Sequence, residues 1–163
     1  MKQLIIIRHA KSSWDFSILN DFDRPLNDRG HRDAPAMAKR LFDKKIDIDA
    51  FISSTAKRAF TTATYFAEAY HQKEKNIVAL AELYHADASI FYDIIDKIDN
   101  NLNTAAIFSH NPGITDFANT LTATKVDNMP TCAVFAITID CKKWQDFKTS
   151  KKTFWFFDYP KNI

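Results

Sequence analysis

The sequence predicts an α/β fold, a three-layer α/β/α sandwich around a mostly parallel central sheet. Short apolar runs rich in β-branched residues recur along the chain, which is typical of strands covered on both faces. Between them lie segments whose apolar residues recur every three or four positions, as in amphipathic helices. Because strand and helix alternate without a linker or an internal repeat, we expect one domain over residues 1–163.

Six strands are predicted, the last of them at an edge of the sheet. They are residues 4–7, 50–53, 77–80, 104–109, 133–139 and 153–157. A helix is predicted after each of the first four. Pro35 indicates that the first helix is either kinked or begins near Asp33, where a missing N–H costs little. Ser54 or Thr55 can cap the second helix, and Asn111, followed by proline, is the expected cap of the fourth.

Composition excludes several classes of function. The formal charge of +2, from 22 basic and 20 acidic side chains, gives no reason to expect nucleic-acid binding. No apolar stretch approaches the ~20 residues that a membrane span needs, and the first strand does not resemble a signal peptide. Cys132 and Cys141 fall at opposite ends of the fifth predicted strand, which disfavours a disulfide. We therefore expect a reducing, cytoplasmic environment.

Two predicted strands end in histidine. Arg8 and His9 follow the first strand, His110 follows the fourth, and Arg58 lies near the start of the helix after the second. In open α/β sheets, ligands bind at the carboxyl ends of the strands, so these side chains are expected to meet there. Guanidinium groups hold phosphoryl oxygens through paired hydrogen bonds. The pattern therefore predicts a pocket for a phosphoryl dianion.

The same pocket suits a histidine nucleophile. A neutral imidazole can attack phosphorus when its other nitrogen is held protonated, for example by a backbone carbonyl. The arginines and the second histidine would stabilise charge on the transferring group, so neither a metal nor another cofactor is expected. Ser109 beside His110 could suggest a serine hydrolase, but no Gly-x-Ser-x-Gly elbow is present.

Four motifs carry a family resemblance. They are RHAKSSW at residues 8–14, DRPLNDRG at 23–30, SSTAKRA at 53–59 and HNPG at 110–113. In this order they resemble the histidine phosphatase (phosphoglycerate-mutase-like) superfamily, and in particular its small SixA-type phosphohistidine phosphatases. Ala10 stands where the Arg-His-Gly (RHG) motif of the wider superfamily has glycine. The resemblance covers most of the chain and implies a phosphoglycerate-mutase-like fold and a metal-independent phosphatase.

The resemblance also implies roles for individual residues. His9 would be phosphorylated transiently, while Arg8, Arg58 and His110 would bind the phosphoryl group around it.

Three further residues are candidates on the same ground. Ser12 stands where many members have a threonine that shapes the pocket, and Lys11 beside it is a candidate for substrate binding. Glu82, after the third strand, corresponds to the carboxylate that protonates the leaving group in larger members. The alternative for Glu82 is a surface residue that opens a helix.

Chain length bears on the substrate. With 163 residues and short connections, we expect a shallow, open pocket that admits a phosphorylated side chain on a folded partner. This favours a protein phosphohistidine phosphatase in signal transduction, with a histidine phosphotransfer domain as one such partner. One alternative is a broad phosphomonoesterase that cleaves small phosphate esters by the same mechanism. Another is a phosphoprotein-binding module without turnover.

Overall fold

The computed structural model describes residues 1–15 and 20–163, within which six strands form one sheet. The strands are β1 (Lys2–Arg8), β2 (Ala50–Ser54), β3 (Ile77–Leu80), β4 (Thr104–Ser109), β5 (Val134–Ile139) and β6 (Lys152–Asp158). Their order is β3-β2-β4-β1-β5-β6, in which the first four are parallel and β5 is antiparallel to both of its neighbours, β1 and β6. The predicted, mostly parallel sheet is confirmed, and strand bounds differ from the prediction by no more than two residues.

Helices cover both faces of this sheet. The α-helices are α1 (Asp28–Asp43), α2 (Lys57–Ala69), α3 (Ala88–Asp96) and α4 (Gly113–Leu121), and short 3₁₀ segments span Asp21–Asp23, Glu74–Asn76, Ala81–Leu83 and Trp144–Thr149. Along β1, Ile5 and Ile7 pack with α1 and α2, while Leu4 and Ile6 pack with α3 and α4. Because alternate residues of a strand face opposite sides, a strand covered on both sides must be continuously apolar.

The structure excludes one of the two alternatives for the first helix and shows that the predicted caps of the second and fourth helices are wrong. The first helix begins at Asp28 and not near Asp33, because the side chain of Asn27 accepts the N–H of Gly30 (2.9 Å) and caps it. At α2 the cap position is Ala56, and neither Ser54 nor Thr55 occupies it. At α4 the cap position is the proline after Asn111, without a side-chain hydrogen bond.

The antiparallel direction of β5 matters for function. Ile7 in β1 pairs with Val134, so the chain enters β5 at the carboxyl end of β1. The N–H of Cys132 donates there to the carbonyls of Arg8 (3.1 Å) and His9 (3.0 Å). The segment before β5 therefore packs against the edge of the sheet where Arg8 and His9 emerge.

The two glycines of the chain lie where backbones approach closely. A Cβ on Gly30 would lie 2.2 Å from the carbonyl oxygen of Lys11, and one on Gly113 would lie 1.9 Å from that of Ala86. A larger residue at position 30 would push the second motif away from the first, and one at position 113 would push the last motif away from Ala86.

Both cysteines are unpaired, as predicted. In the described part of the chain, no helix is long and apolar enough to cross a membrane.

Candidate active site

The register of the sheet brings the two strand-end histidines together. Arg8 in β1 pairs with Ser109 in β4, so His9 and His110 each follow neighbouring strands. Their ring centroids lie 5.1 Å apart with the planes tilted by 52°. β2 is the next strand along, and it leads into α2, which carries the buried Arg58. The structure thus brings together Arg8, His9, Arg58 and His110, the four residues that the sequence predicts at this edge of the sheet.

His9 is held by the backbone next to it. Its Nδ1 lies 2.7 Å from the carbonyl oxygen of Ala10, which can only accept a hydrogen bond, so Nδ1 carries the proton. Nε2 is therefore left with its lone pair. Burial, with His110 and the two arginines acting in the same direction, lowers the pKa of His9 well below its usual value, although the Ala10 hydrogen bond opposes the shift. The ring is neutral at physiological pH, as a nucleophile must be.

Thr62 in α2 fixes the peptide that holds His9. The N–H of Ala10 donates to Thr62 Oγ1 (2.9 Å), and the Thr62 hydroxyl donates to the carbonyl of Arg58 (2.8 Å). The backbone next to His9 is thereby tied to the helix that carries Arg58. Thr62 belongs to no motif, and we found no signal for it in the sequence.

Unpartnered hydrogen-bonding nitrogens mark where a ligand would bind. In residues 1–15 and 20–163, four buried side-chain nitrogens have no hydrogen-bond partner, and three of them are Arg8 Nε, Arg58 Nε and His110 Nδ1. Buried polar groups in proteins are nearly always paired, so each exception needs an explanation. Because all three belong to residues that surround His9, they form a cradle for an anion beside its Nε2.

Arg58 already holds one anion of the chain. Its Nη1 donates to the backbone carbonyl of Asp21 (2.6 Å), and its Nη2 donates to the Asp21 carboxylate (3.0 Å). The same carboxylate accepts from the Tyr84 hydroxyl and from Arg24 (3.1 Å). The Tyr84 hydrogen bond, then Arg58 and Arg24, lower the pKa of Asp21 far below its usual value. Asp21 is therefore ionised and occupies a guanidinium that a phosphoryl group would need.

This arrangement corrects the prediction of an open pocket. The 3₁₀ turn Asp21–Asp23 packs against α2 and bonds to Arg58, so it partly covers the site, and His9 is only 6% exposed. Residues 16–19 of the preceding segment lie outside the described residues. Sequence reasoning missed Asp21 because it lies among several polar turn residues and is not distinguished from them.

His110 is oriented from the neighbouring strand. Its Nε2 lies 2.8 Å from the hydroxyl oxygen of Ser54, the last residue of β2. Burial, followed by the charge of Arg58, lowers the pKa of His110 to about 3, against a small opposing effect of Asp21. His110 is thus neutral at physiological pH and acts through hydrogen bonding.

Ser12 and Lys11 contact the segment that follows Asp21 along the chain. Ser12 is buried, and its hydroxyl accepts from Arg24 (2.8 Å), whose guanidinium stacks 3.6 Å from the centroid of the exposed Trp14 ring. Lys11 is half-buried, and its carbonyl accepts from the N–H of Asn27 (3.0 Å). Ser12 therefore supports the segment that carries Asp21. Substrate binding by either residue stays a prediction.

Glu82 is not brought to the histidines. It is exposed and lines a separate cavity of about 400 Å³ together with apolar residues such as Ile52 and Ile98. A smaller cavity of about 140 Å³ adjoins His110 and is lined instead by Tyr84 and His85. The proposed role of Glu82 as a proton donor stays a prediction, and this placement does not favour it.

Comparisons with known proteins agree with the geometry. The sequence matches the model of the histidine phosphatase superfamily (branch 1) over residues 4–101. An uncharacterized chloroplastic protein of Arabidopsis thaliana is 28% identical over 153 residues, which cover 89% of this chain and 70% of that protein.

Two solved structures share the fold. SixA of Agrobacterium tumefaciens superimposes with a TM-score of 0.81 at 24% identity, and the protein histidine phosphatase SixA complexed with tungstate superimposes with a TM-score of 0.83 at 22% identity. Each match covers 98% of both chains. The likeness extends over the whole sheet and both helical layers.

Proposed function

This chain belongs to the histidine phosphatase superfamily, and within it we propose a SixA-type phosphatase that acts on protein phosphohistidine. The reaction needs no metal and passes through a covalent phosphohistidine on His9. The proposal treats residues 1–163 as one catalytic domain, which works in a reducing cytoplasm where its two cysteines stay unpaired. The partner is a phosphorylated protein, such as a histidine phosphotransfer domain of a signalling relay.

The observation that carries this proposal is the cradle of buried, unpartnered nitrogens around a neutral histidine. The Nε2 lone pair of His9 attacks phosphorus, an N–P bond forms, and the bond from phosphorus to the leaving group breaks. Positive charge then develops on the His9 ring, and the Ala10 carbonyl that accepts its Nδ1–H stabilises this charge. Arg8, Arg58 and His110 donate to the phosphoryl oxygens during transfer.

The second half of the reaction returns the enzyme to its starting state. Water attacks phosphorus, the N–P bond to His9 breaks, and the electron pair returns to Nε2 as phosphate leaves. One proton of the water stays on the attacking oxygen and the other passes to a phosphoryl oxygen, so that dihydrogen phosphate leaves. The same nitrogens hold the phosphoryl oxygens during this step. The cationic side chains thus supply in both steps the charge stabilisation that a metal ion gives other phosphoryl-transfer enzymes.

The leaving group supports a P–N substrate. An alkoxide leaving from an ester needs a proton donor, whereas an imidazole leaves more readily. Neither Glu82 nor Asp21 is a good donor, because Glu82 lines another cavity and Asp21 is ionised. The low pKa of His110, about 3, makes it a poor proton donor as well. The site is therefore better suited to phosphohistidine than to phosphate esters.

Access to the cradle requires competition with Asp21. A phosphoryl dianion offers three acceptor oxygens and can form paired hydrogen bonds to Arg58, whereas the Asp21 carboxylate is half-exposed and screened by solvent. A phosphorylated side chain can thus take the place of the carboxylate. A small ester can do the same, so a broad small-molecule phosphomonoesterase is the alternative.

The test compares two substrates in the presence of EDTA. Phosphate release is measured from a phosphohistidine-carrying protein and from an aryl phosphate ester, with wild type, His9→Ala, and His31→Ala as a matched control at an exposed histidine. We expect chelator-resistant turnover that prefers the P–N substrate. Loss of the nucleophile should reduce it by a factor on the order of 10⁵, and the control should leave it unchanged.

Each other outcome would overturn part of the proposal. Preference for the aryl ester would retain the mechanism and move the substrate to small phosphate esters. If the wild type bound phosphoprotein without turnover and His9→Ala bound it equally well, the chain would be a binding module.

A further inference from the structure

We propose that Ser54 is a positioning residue, whose hydroxyl fixes the proton of His110 on Nδ1 so that this nitrogen donates to the phosphoryl group. The inference rests on the proposed function for its kinetic consequence. The position of the proton itself is independent of that function and can be observed without turnover.

The hydrogen bonds of Ser54 decide the direction of its contact with His110. The Ser54 oxygen accepts the N–H of Ala56 (3.1 Å) and lies 2.8 Å from His110 Nε2. A serine hydroxyl has one proton to donate, and Ser54 is fully buried, so water cannot take it. In the described part of the chain, His110 Nε2 is the one acceptor within hydrogen-bond distance of this proton. Ser54 therefore donates, and Nε2 accepts.

The opposite arrangement would leave a buried proton without a partner. If Nε2 carried the proton of His110 and donated to Ser54, the Ser54 hydroxyl would have no acceptor. The Nδ1 lone pair would also lack a donor, so two buried groups would be unpartnered. With the proton on Nδ1, only that N–H lacks a partner in the chain, and an anion in the cradle would accept it. Because each unpartnered buried group costs free energy, the Nε2–H tautomer is disfavoured roughly tenfold or more.

The consequence appears on the other ring nitrogen. Because a neutral imidazole carries one proton, acceptance at Nε2 places that proton on Nδ1. Nδ1 is the buried His110 nitrogen that has no partner in the chain. It lies in a ring whose centroid is 5.1 Å from that of His9, and Arg58 and Arg8 are close enough to influence its charge. A fixed N–H donor thus joins the two arginines around the nucleophile.

The paired strands of the sheet hold Ser54 and His110 at fixed relative positions. Ser54 ends β2, and β2 pairs with β4 up to the pair Ser53 and Phe108, which lie one residue before Ser54 and two residues before His110. Ser54 and His110 are both buried at the ends of paired strands, which restricts the motion of their side chains. Donors placed in advance on rigid elements stabilise a transition state without reorganisation.

The experiment is ¹⁵N NMR of the histidine rings, in which protonated and unprotonated ring nitrogens are well separated. The variants are Ser54→Ala, Ser54→Thr, and Ser53→Ala as a matched control. Ser53 is equally buried and adjacent, but its hydroxyl donates to the backbone carbonyl of Ser54 (2.9 Å) and forms no hydrogen bond with His110.

We expect wild type, Ser54→Thr and Ser53→Ala to carry the His110 proton on Nδ1. Ser54→Ala should populate the Nε2–H form, since Nε2 then loses its donor. In parallel, kcat of Ser54→Ala should fall about tenfold with little change in KM, and threonine should restore it, because the donor acts mainly in the transition state.

The two proposals fail in different ways. An Nε2–H signal for His110 in the wild type, or an unchanged tautomer in Ser54→Ala, would overturn the role of Ser54 whatever the enzyme's substrate. Absence of phosphohistidine turnover, with the expected tautomers present, would instead overturn the proposed substrate. In that event the tautomer's role in anion binding would be tested by adding inorganic phosphate. The Nδ1–H signal of His110 should shift in wild type and in Ser53→Ala but not in Ser54→Ala. Equal shifts in all three proteins would contradict a role of the tautomer in anion binding.

Discussion

The ends of β1 and β4 offer the same residue at the same edge of the sheet and use it in opposite ways. His9 donates its Nδ1 proton to the carbonyl of Ala10, so that its Nε2 lone pair remains available for attack. His110 contacts Ser54 through Nε2, so that Nδ1 remains as a donor. Both rings are buried, and the pKa of each lies below its ordinary value. The two histidines thus share a tautomer and present different nitrogens.

The difference lies in the partner of each ring. A backbone carbonyl can only accept a hydrogen bond, so any histidine whose Nδ1 contacts one keeps Nε2 basic. A serine hydroxyl can donate or accept, and its direction at His110 is set by its own remaining bonds. Residue type and strand position therefore determine where the two histidines lie. The hydrogen-bond partner of each ring determines which of its nitrogens remains available.

After the loss of His9 itself, the largest effect is expected from replacing His110. Removing a donor from a transition-state cradle, as in His110→Ala, costs roughly 10²–10³-fold in kcat. Asparagine can place an amide N–H near the position of Nδ1, whereas glutamine places it near Nε2. We therefore expect His110→Asn to retain about tenfold more activity than His110→Gln. Steady-state kinetics with both substrates checks this order, and the reverse order would assign the donor to Nε2.

An effect of intermediate size concerns the dependence of the rate on pH. A nucleophilic histidine with an ordinary pKa near 6.5 would be about 97% protonated at pH 5 and would lose about 30-fold in rate. Because burial lowers the pKa of His9, its ring should remain neutral well below pH 6.5. NMR titration of the His9 ring, with free histidine as the reference, measures this directly. Half-protonation near pH 6.5 would contradict the described environment.

The same shifts make the fold sensitive to acid. Histidines with a depressed folded-state pKa contribute stability that is complete above their unfolded pKa, near 6.5, and is lost as pH falls toward the folded value. Between pH 6.5 and 5 the free energy of unfolding should fall by up to about 1.4 kcal/mol per pH unit for each histidine. Urea denaturation at pH 7 and pH 5 measures it. In His110→Asn the free energy of unfolding should fall with pH about half as steeply as in wild type. An equally steep fall would contradict the low pKa of His110.

The smallest effect is expected from Asp21. Its carboxylate competes with a phosphoryl group for the buried Arg58, but the carboxylate itself is half-exposed and screened by solvent, so its removal is worth less than about 1 kcal/mol. Asp21→Asn should therefore tighten inhibition by inorganic phosphate about three- to fivefold. Asp23→Asn, an exposed neighbour in the same 3₁₀ turn, is the matched control. Weaker inhibition in Asp21→Asn would mean that Asp21 orients Arg58 and does not compete with the ligand.

Local patterns in the sequence were enough to predict the strands, His9 and the three residues of the cradle. Apolar runs define β1 and β4, and their carboxyl ends meet because parallel strands share an edge, which places His9 beside His110. The helix starts were less accessible, since Asn27, Ser54 and Asn111 are all suitable caps by composition and only Asn27 acts as one.

The partners of the cradle could not be predicted, because they depend on distances across the fold. Asp21 contacts Arg58 from 37 positions away, and Ser54 contacts His110 from 56 positions away. Neither pairing follows from periodicity or from the order of the motifs. Glu82 was predicted from family position alone, and the local 3₁₀ turn Ala81–Leu83 leaves it at a different cavity.

The most direct test of this account is to trap the phosphoenzyme and locate its phosphate. Wild-type protein is mixed with a phosphohistidine-carrying protein in EDTA, quenched in alkali within the first turnover, and analysed by ³¹P NMR and peptide mass spectrometry. The account predicts an alkali-stable, acid-labile phosphate on Nε2 of His9 and none on His110. Phosphate on His110, or on Nδ1 of His9, would contradict the assignment of the two rings.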